Sequence, residues 1–450
     1  MKTKNNVTQP VSTISTETVN TITIKFPVII LMAVSFLLYV ASLSFGFTEL
    51  DDTIFIQETA AYNEQLSNLG HSFQRGVFSE ANDTYYRPML LNSFIINHAV
   101  SGTEIKGYHT MNVLLHVACV VLLFFFLRRI RFSEFHSFLL ALIFAVHPVL
   151  SQAVAWIPGR NDTLLTLFVL VWMLACLQFE SKKGMHWLFL QWLALLAALF
   201  TKETMLFVLP AFFLVWGGLE KANWRNTQRW LVYGSWILAV GLWFFLRHQA
   251  TLKDTPIAGG IMFESLLHRF PLAIQYVGKI VLPFNLNVFP MMDATTYLWG
   301  ILSTCGIAAL IFISKPKEHT FLWKGIAWFF LILFPLFLLP ATLNDQDFEH
   351  RLYLPMIGIL MLLGDSIIFQ KLQARYLLYG VLGLSAILAM VNISHQQQFE
   401  SPLSFWEAAV KGTPSSSYAN MMLAARIKET DPKRADAMMR KAYQMNPTEK

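Results

Sequence analysis

Two adjacent carboxylates stand where a long apolar run ends. Asp51 and Asp52 follow the run that begins at Phe26. A carboxylate beside apolar surface has a raised pKa and can serve as a general base. The same side chains could instead cap a helix that begins beside them. Because neighbouring side chains point in different directions, one carboxylate can cap while the other reacts.

Charged residues recur at similar boundaries further along the chain. Arg87 lies between Tyr86 and Pro88, and proline suits the first turn of a helix. Arginine binds phosphate through two parallel hydrogen bonds, although an arginine at a membrane edge also reaches lipid headgroups. Lys202 and Glu203 lie between two apolar runs. They form either a mutual salt bridge or an anion site whose lysine is held by the glutamate.

Polar residues open another apolar run. His109, Asn112 and His116 are spaced to share one face of a helix, and helix–helix hydrogen bonding is the plain alternative to a binding role. The two histidines lie about 10 Å apart along the axis of a helix. This distance is too long for one shared metal ion, so the pattern predicts no metal site.

Two more positions combine arginine with polar neighbours at the start of an apolar run. Arg160 and Asp162 could pair with each other or hold an anion, and Asp162 also suits the positive end of a helix. Arg351 and Tyr353 follow a short acidic stretch that includes Asp347. No nucleotide-phosphate loop, dinucleotide fingerprint, zinc-protease motif or hydrolase elbow accompanies them.

The elements that must position these residues are long and apolar. The chain has 450 residues, of which 55% are hydrophobic and 14% are charged, whereas a soluble domain is usually about 25% charged. A membrane span needs about 20 apolar residues. The net charge of +6 comes from small basic clusters between the apolar runs, the pattern of cytoplasmic loops. This distribution argues against a nucleic-acid partner and predicts an all-α, polytopic bundle of membrane helices.

Placing each basic cluster in the cytoplasm predicts about eleven spans and an outer C-terminal tail. The predicted spans are 26–45, 107–127, 135–152, 161–179, 186–200, 203–218, 230–247, 296–314, 321–341, 354–370 and 376–394. The apolar segment 264–282 carries His268, Arg269 and Lys279, so we expect an interfacial or re-entrant helix on the outer side. The predicted divisions are a cytoplasmic segment 1–25, a membrane domain 26–394 with a large outer loop 46–106, and an outer tail 395–450.

The tail changes in character. Helical patterns there are separated by Pro414 and Pro432, and helix pairs of this kind resemble tetratricopeptide units. A stable array usually needs three or more such units. The tail is therefore expected to be a cap, a surface on which a protein docks, or the start of a longer array.

Taken in order, these motifs resemble one known family, the TMTC-type proteins. These are transmembrane, tetratricopeptide-containing O-mannosyltransferases of the GT-C superfamily, with bacterial relatives. The residues that carry the resemblance are Asp51-Asp52, Tyr86-Arg87-Pro88, Tyr108-His109 with Asn112 and His116, His147-Pro148, Gly159-Arg160 with Asp162, Lys202-Glu203, and Arg351-Leu352-Tyr353-Leu354-Pro355. The chain departs from the family pattern in its short tail and in His350, because the family more often has Ala-Glu before this arginine.

The resemblance implies a GT-C fold and a sugar transfer. The donor would be a polyprenyl-phosphate sugar, with mannose as the expected sugar, and the acceptor would be the Ser or Thr hydroxyls of exported proteins. The reaction would take place on the periplasmic face of a bacterial inner membrane, in contact with membrane lipid, with no metal or cofactor required. By analogy with protein O-mannosyltransferases, Asp51 is the first choice for the base and Asp52 the second. The residues expected to bind the donor are Tyr86, Arg87, His109, Asn112, Arg160, Asp162, Lys202, Glu203, Arg351 and Tyr353.

Two other kinds of protein fit parts of the same pattern. One is a GT-C enzyme that modifies a lipid or a surface glycan. The other is a membrane scaffold, or a lipid transporter, that presents the repeat tail. A scaffold would not need Asp51, Arg87 and Arg351 to converge on one cavity. A transporter should expose polar residues along a path to both sides of the membrane.

Overall fold

The computed structural model describes residues 22–78, 85–219, 224–251, 259–314, 320–340 and 345–446. Most of the predicted cytoplasmic segment 1–25 lies outside these residues. The described chain is helical, and the β-structure within it is one isolated bridge between Met291 and Gln346. The expectation of an all-α membrane bundle is therefore confirmed.

Twenty-one α-helices follow one another along the described chain. Those of the membrane domain are α1 (Pro27–Leu38), α2 (Ala60–Asn63), α3 (Asn68–His71), α4 (Pro88–Ser101), α5 (Ile105–Arg129), α6 (Glu134–Val146), α7 (Ser151–Ala155), α8 (Arg160–Lys182), α9 (Met185–Thr201), α10 (Met205–Val215), α11 (Thr227–Ala250), α12 (Gly259–Arg269), α13 (Leu272–Val281), α14 (Leu298–Ser314), α15 (Thr320–Phe337), α16 (Met356–Gly364), α17 (Ile367–Lys371) and α18 (Ala374–Gln396). The tail contains α19 (Pro402–Gly412), α20 (Ser417–Ile427) and α21 (Pro432–Met445).

Within the described residues, four helices are long and apolar enough to cross a membrane. They are α5, α8 with its preceding turn, α11, and α18 with its following turn. A fifth span results if α6 and the segment Pro148–Ala155, which meet at a bend of 54°, are counted together. The other apolar helices are shorter than the ~20 residues that a straight span needs. The count of eleven spans therefore stays a prediction.

The apolar surface is distributed as a membrane environment requires. Ile237, Phe245, Phe312 and Ile387 are all more than half exposed, on helices α11, α14 and α18. Large apolar side chains exposed on a protein surface are unfavourable in water. These helix faces therefore contact lipid. The centre of the bundle is α6, where nearly every residue is buried between neighbouring helices. The chain is an integral membrane protein.

The segment 264–282 folds differently from a span. It forms α12 and α13, which are 11 and 10 residues long and are too short to cross a bilayer. Lys279 on α13 is 1% exposed and pairs with Glu349. The buried pair draws this helix into the protein, whereas a helix lying in the interface would keep its lysine in contact with water.

Helices α15 and α16 approach each other unusually closely. Gly325 and Gly358 face each other at the crossing, and a Cβ on either residue would collide with the backbone carbonyl of the other. Glycine is required there because it has no Cβ. The close crossing fixes α15 against the helix that follows Arg351.

The tail packs against the rest of the chain. Its helices share a buried core with residues of the outer loop and of the segment before α14, among them Phe45 and Phe289. At the opposite end of the bundle, Arg129 on α5 donates to the carbonyl of Leu177 on α8 at 2.7 Å. One basic cluster therefore lies at the end of the bundle where α5 and α8 finish, far along both helices from the tail.

Candidate functional site

A cavity of about 340 Å³ opens at the end of the bundle where α8 begins. Loops and helix ends from distant parts of the sequence form its walls. Sequence-predicted residues that line it are Asp51, Arg87, Asp162, Lys202, Glu203 and Arg351. The apolar wall opposite them comes from α15 and includes Ile332, Leu333 and Leu336. Charged groups and an apolar surface therefore meet in one space.

Helix ends supply most of the charged residues. Arg87 directly precedes Pro88, the first residue of α4. Asp162 lies in the first turn of α8, where the helix dipole favours a negative charge. Lys202 and Glu203 occupy the turn between α9 and α10, and this turn is too short to move them away from the helix ends. These positions are rigid because each is fixed by a packed helix.

The salt bridges in the cavity cross between these elements. The Lys202 ammonium contacts both carboxylate oxygens of Asp162, each at 2.8 Å. Arg87 donates from Nε and Nη2 to the two oxygens of Glu203, at 3.1 and 2.5 Å. Lys202 and Glu203 therefore have partners in other elements instead of forming the mutual pair that their sequence separation suggested.

The Arg87 guanidinium is held on several sides. Its centre lies 4.4 Å from the ring centroid of Tyr85. With its amide oriented to satisfy both neighbours, Asn161 accepts from Arg87 Nη1 and donates to the carbonyl of Thr201, each at 3.0 Å. Burial alone would raise the pKa of Glu203, but the charge and hydrogen bonds of Arg87 lower that pKa to about 2. Glu203 is thus ionised whenever the cavity is folded.

Asp51 differs from the other carboxylates of the cavity. Within the described residues, its carboxylate forms no hydrogen bond or salt bridge with another side chain. Burial, and secondarily the charge of Asp52, raises the pKa of Asp51 to about 6. A carboxylate with this pKa is ionised at neutral pH and is still basic enough to accept a proton.

Asp52 points away from the cavity and is 1% exposed. Its carboxylate accepts from the backbone N–H of Thr48 at 2.6 Å, the Thr48 hydroxyl at 3.0 Å and the N–H of Thr53 at 3.1 Å. Burial raises the pKa of Asp52 and these hydrogen bonds oppose the rise. The Asp52 carboxylate thus holds Thr48 in the preceding loop and does not cap the first turn of the following helix.

Arg351 enters the cavity from a short 3-10 helix, Glu349–Leu352, which precedes α16. The Nη1 atom of Arg351 donates to the carbonyl of Gln346 at 2.8 Å. The guanidinium centre lies 5.8 Å from the Phe348 ring centroid. Gln346 and Phe348 also line the cavity. The arginine is therefore oriented by its own loop and presents a cation to the cavity.

Arg160 does not reach the cavity, although the sequence placed it among the anion ligands. It is fully buried and donates to Asn112 Oδ1 at 2.7 Å, Asn97 Oδ1 at 2.8 Å and the carbonyl of Tyr108 at 2.9 Å. Its donors are committed to protein acceptors, and it forms no pair with Asp162. Arg160 and Asn112 connect helices α4, α5 and α8 beneath the site.

Three other residues predicted to bind the donor also lie in the packed interior. The Tyr86 hydroxyl donates to the carbonyl of Phe73 at 2.9 Å. The Tyr353 hydroxyl shares a hydrogen bond of 2.7 Å with His116. The His109 ring packs edge-on against Phe45 with 6.2 Å between centroids. None of the three is among the residues that line the described cavity.

The structure adds His350 to the site, which the sequence showed only as a departure from the family pattern. His350 lines the cavity, and its Nε2 lies 3.8 Å from Asp162 Oδ2. Its ring is stacked on Phe348 and lies near Trp156. Burial and the nearby cations lower the pKa of His350 well below its ordinary value, so the ring is neutral at physiological pH.

Trp156 and Asn161 also line the cavity without having been predicted. Asn161 lies beside Asp162 in the first turn of α8, so the start of that apolar run was the signal that could have revealed it. The turn before α8 brings Trp156 to the cavity, and no charged or catalytic pattern marks that residue. Within the described residues, no group of three or more His, Cys, Asp or Glu side chains is arranged to hold a metal ion. Among the described residues, the cavity thus combines three cations and three carboxylates with an apolar wall, and Asp51 is the carboxylate without a paired cation.

Known proteins resemble this chain in sequence. The Caenorhabditis elegans protein O-mannosyl-transferase F38B6.6 is 23% identical over 365 residues, which are 76% of this chain and 51% of that protein. Human protein O-mannosyl-transferase TMTC2 is 38% identical over 99 residues, 22% of this chain and 12% of the relative. The resemblance to TMTC-type proteins is thereby confirmed. The chain spans about half the length of the first relative and a smaller share of the second. No protein-family model matches the chain.

A solved structure also resembles the fold. The ArnT structure from Cupriavidus metallidurans, bound to undecaprenyl phosphate, aligns with a TM-score of 0.48 and 14% identity, over 93% of this chain and 75% of that one.

Proposed function

We propose that this protein is a GT-C glycosyltransferase that moves a mannosyl group from a polyprenyl-phosphate donor to Ser or Thr hydroxyls of exported proteins. The observation that carries the proposal is the cavity. It brings the unpaired carboxylate of Asp51 into one space with the cations Arg87, Lys202 and Arg351. The names of the sequence relatives support the class of reaction.

The cations suit a donor whose leaving group is a phosphate. Negative charge grows on the phosphate oxygen as the bond to the sugar breaks, and fixed cations stabilise that charge. Lys202 has a third N–H donor beyond its two contacts with Asp162. Arg87 and Lys202 each contact a carboxylate at hydrogen-bond distance, whereas Arg351 interacts through its charge with Asp347, which Arg269 also pairs with. Arg351 therefore keeps donors that can bind the phosphate. Arg351 is therefore the main phosphate ligand in this proposal.

The apolar wall suits the lipid part of the donor. Ile332, Leu333 and Leu336 on α15 line the same cavity as the cations. An apolar wall keeps the prenyl units next to the phosphate out of water, where their exposure would cost about 25 cal/mol for each Å² of apolar surface. A phosphate at Arg351 would thus leave the first prenyl units against α15, with the rest of the chain in the bilayer.

Asp51 supplies the base in this scheme. The acceptor hydroxyl gives its proton to the Asp51 carboxylate while its oxygen attacks the anomeric carbon. The bond from that carbon to the phosphate oxygen breaks, and the electron pair leaves with the phosphate. A single displacement of this kind inverts the configuration at the anomeric carbon. The phosphate leaves as an anion, so the scheme requires no general acid, metal or cofactor.

The location follows from the topology. The cavity opens at the end of the bundle that also carries the tail, opposite the Arg129 end of α5. Basic clusters favour the cytoplasm, which supports a cavity on the outer face of a bacterial inner membrane. An exported protein is accessible there. A site whose charged residues gather at one end also favours an enzyme over a scaffold or a transporter.

The test is transfer of mannose by the full chain in vesicles, from polyprenyl-phosphate mannose to a Ser/Thr peptide. General-base assistance is typically worth ~10²–10⁴-fold, so Asp51→Asn should reduce turnover by about that factor and still bind the donor. Glu58→Gln is the matched control, because Glu58 is an exposed carboxylate in the same outer loop. Turnover of Asp51→Asn at the wild-type rate would exclude Asp51 as the base.

Asp52→Asn separates the two adjacent carboxylates. The three hydrogen bonds go to the two oxygens of Asp52, and the substitution replaces one of these oxygens with an amide NH2, which cannot accept. Each buried donor left unpaired costs about 1–3 kcal/mol. We expect a lower Tm, with most of the turnover kept by the protein that remains folded. If Asp52→Asn abolishes transfer and Asp51→Asn does not, the two roles are exchanged.

A further inference from the structure

The first helix of the tail lies directly against the walls of the cavity. Helix α19 begins at a capping box formed by Ser401 and Ser404 and buries Phe405 and Trp406 completely. These rings share a buried cluster with Trp156 and Phe348, which are themselves cavity residues. The tail is therefore packed onto the site and is not an appendage on a free linker.

One polar contact joins α19 to the loop that carries Asp51. Trp406 Nε1 donates to the carbonyl of Thr48 at 3.1 Å, and Thr48 in turn donates twice to Asp52. The Trp156 indole donates to the Thr48 hydroxyl at 3.1 Å. Thr48 is thus held by Trp406 of the tail, by Trp156 of the cavity wall and by Asp52, the residue next to Asp51.

A second contact joins the end of α19 to the loop that carries Arg351. Thr413 is fully buried. Its hydroxyl accepts from Asn287 Nδ2 and donates to the carbonyl of Phe289, each at 2.7 Å. The backbone N–H of Asn287 donates to Glu349 Oε1 at 2.8 Å. Glu349 lies two residues before Arg351, and the Lys279 ammonium donates to the same oxygen, Oε1, at 2.6 Å.

From these two contacts we infer that Trp406 and Thr413 are positioning residues of the active site, through which α19 fixes the Asp51 loop and the Arg351 loop. The inference rests on the proposed function for the roles of Asp51 and Arg351. Both contacts are buried, where water cannot replace a lost partner. The tail therefore acts as part of the scaffold of the cavity, in addition to any docking surface that it offers.

The two contacts make separate predictions for separate loops. Trp406→Phe keeps an aromatic ring but removes the donor to Thr48, so it should loosen the segment 46–58. Thr413→Val keeps the shape but removes the hydroxyl, so it should loosen the segment 345–355. Phe405→Leu is the control. Phe405 is buried in the same helix but packs only through its ring, so its loss should lower stability without singling out either loop.

Amide hydrogen exchange on the full chain in lipid nanodiscs measures this directly, because exchange reports local opening. We expect exchange at least several-fold faster in 46–58 for Trp406→Phe and in 345–355 for Thr413→Val, with the other segment little changed. Thr413→Ser should restore the wild-type pattern, because serine keeps the hydroxyl. If both variants give the uniform pattern of Phe405→Leu, or no change in either segment, the inference is wrong.

Turnover measurements test whether the two contacts of α19 affect the reaction. Trp406→Phe should lower kcat with little change in the KM for polyprenyl-phosphate mannose, because the base is displaced. Thr413→Val should raise that KM, because the phosphate ligand is displaced. If the wild-type protein transfers no mannose, the proposed function fails, and the exchange patterns still decide whether the tail holds the two loops. If transfer occurs and both variants match Phe405→Leu in kcat and KM, the inference fails alone.

Discussion

At the scale of single residues, the cavity uses its carboxylates in two ways. Asp162 and Glu203 hold the cations Lys202 and Arg87 in place, whereas Asp51 has no such partner within the described chain. A paired carboxylate is a poor base because its cation stabilises the ionised form. The difference in pairing, more than the residue type, therefore separates the proton acceptor from the carboxylates that support the site.

The pH dependence of transfer should report this difference. The pKa of Asp51 is raised to about 6 by burial and by the charge of Asp52, and the base must be ionised to act. Turnover should therefore rise about tenfold per pH unit below pH 6 and become constant above about pH 7. The measurement is kcat/KM for the donor between pH 4.5 and 8. A rate that stays constant down to pH 4.5 would contradict the assignment.

Binding of the donor should depend on the shape of the Arg351 side chain as well as on its charge. A guanidinium offers phosphate two parallel hydrogen bonds, and an ammonium offers a point charge. We expect Arg351→Lys to bind polyprenyl-phosphate mannose more weakly than wild type, and Arg351→Ala to bind it more weakly still. Equilibrium binding to the detergent-solubilised full chain measures both, with Arg375→Lys as an exposed control. Wild-type affinity in Arg351→Ala would remove this residue from the site.

The sequence-predicted residues that line the cavity share a simple property. Asp51, Arg87, Lys202 and Arg351 each stand where an apolar run begins or ends, so each lies at an end of the bundle, and the alternation of basic clusters predicts that all four lie at the outer end. Arg160 stands at such a boundary too, yet two asparagines and a carbonyl consume its donors. Hydrogen bonds between helices that are distant in sequence cannot be read from local spacing. For the same reason the cross-pairing of Lys202 and Glu203 was not predictable.

At the scale of elements, the close crossing of α15 and α16 connects packing to the cavity. Gly358 Cα faces Gly325, and a Cβ there would also lie 2.9 Å from Trp328 Cδ1 and 3.1 Å from the Phe329 backbone N. Backbone contacts of this kind cannot be relieved by a rotamer change. Ile332 and Leu333, one to two turns beyond on α15, line the cavity, so the separation of the two helices affects the site.

Gly358→Ala should therefore weaken both stability and donor binding. Overpacking a tight contact typically costs about 1–3 kcal/mol, and the displaced α15 would move the apolar wall away from Arg351. Gly380→Ala is a matched control on α18, because a Cβ there meets nothing within 4 Å and alanine favours a helix by about 0.5–1 kcal/mol. Thermal unfolding and donor binding measure the two effects. A Gly358→Ala protein as stable as Gly380→Ala would mean that the crossing tolerates a methyl group.

The sequence patterns identified some helices well and others poorly. The long runs that became α5, α8, α11 and α18 are uninterrupted, so their hydropathy alone identifies them. The predicted span 354–370 instead breaks after Gly364, where the described chain turns before α17. The segment 264–282 was ambiguous because Lys279 is polar in sequence but neutralised by Glu349 in the fold. Partners of buried charges come from elsewhere in the chain, and the local pattern cannot supply them.

At the scale of the whole molecule, the two ends of the bundle carry different features. The cavity, the outer loop and the tail lie together, connected through Thr48 and Asn287. The other end carries basic residues such as Arg128, Arg129 and Lys182, where α5 and α8 finish. Because basic loops stay in the cytoplasm during insertion, this asymmetry predicts one orientation of the protein in the membrane.

Reporter fusions should reveal that orientation. Fusions truncated after Arg131, Lys183 and Arg375 should report the cytoplasm, because each follows a helix whose end lies in a basic cluster. A fusion after Met445 should report the periplasm, since α19–α21 pack on the outer loop beside the cavity. Alkaline phosphatase and a cytoplasmic fluorescent reporter at the same four positions should give opposite signals. A cytoplasmic Met445 fusion, with the other three unchanged, would contradict the odd number of spans. It would also separate the tail from the cavity, and so contradict the packing of α19 against the cavity residues Trp156 and Phe348.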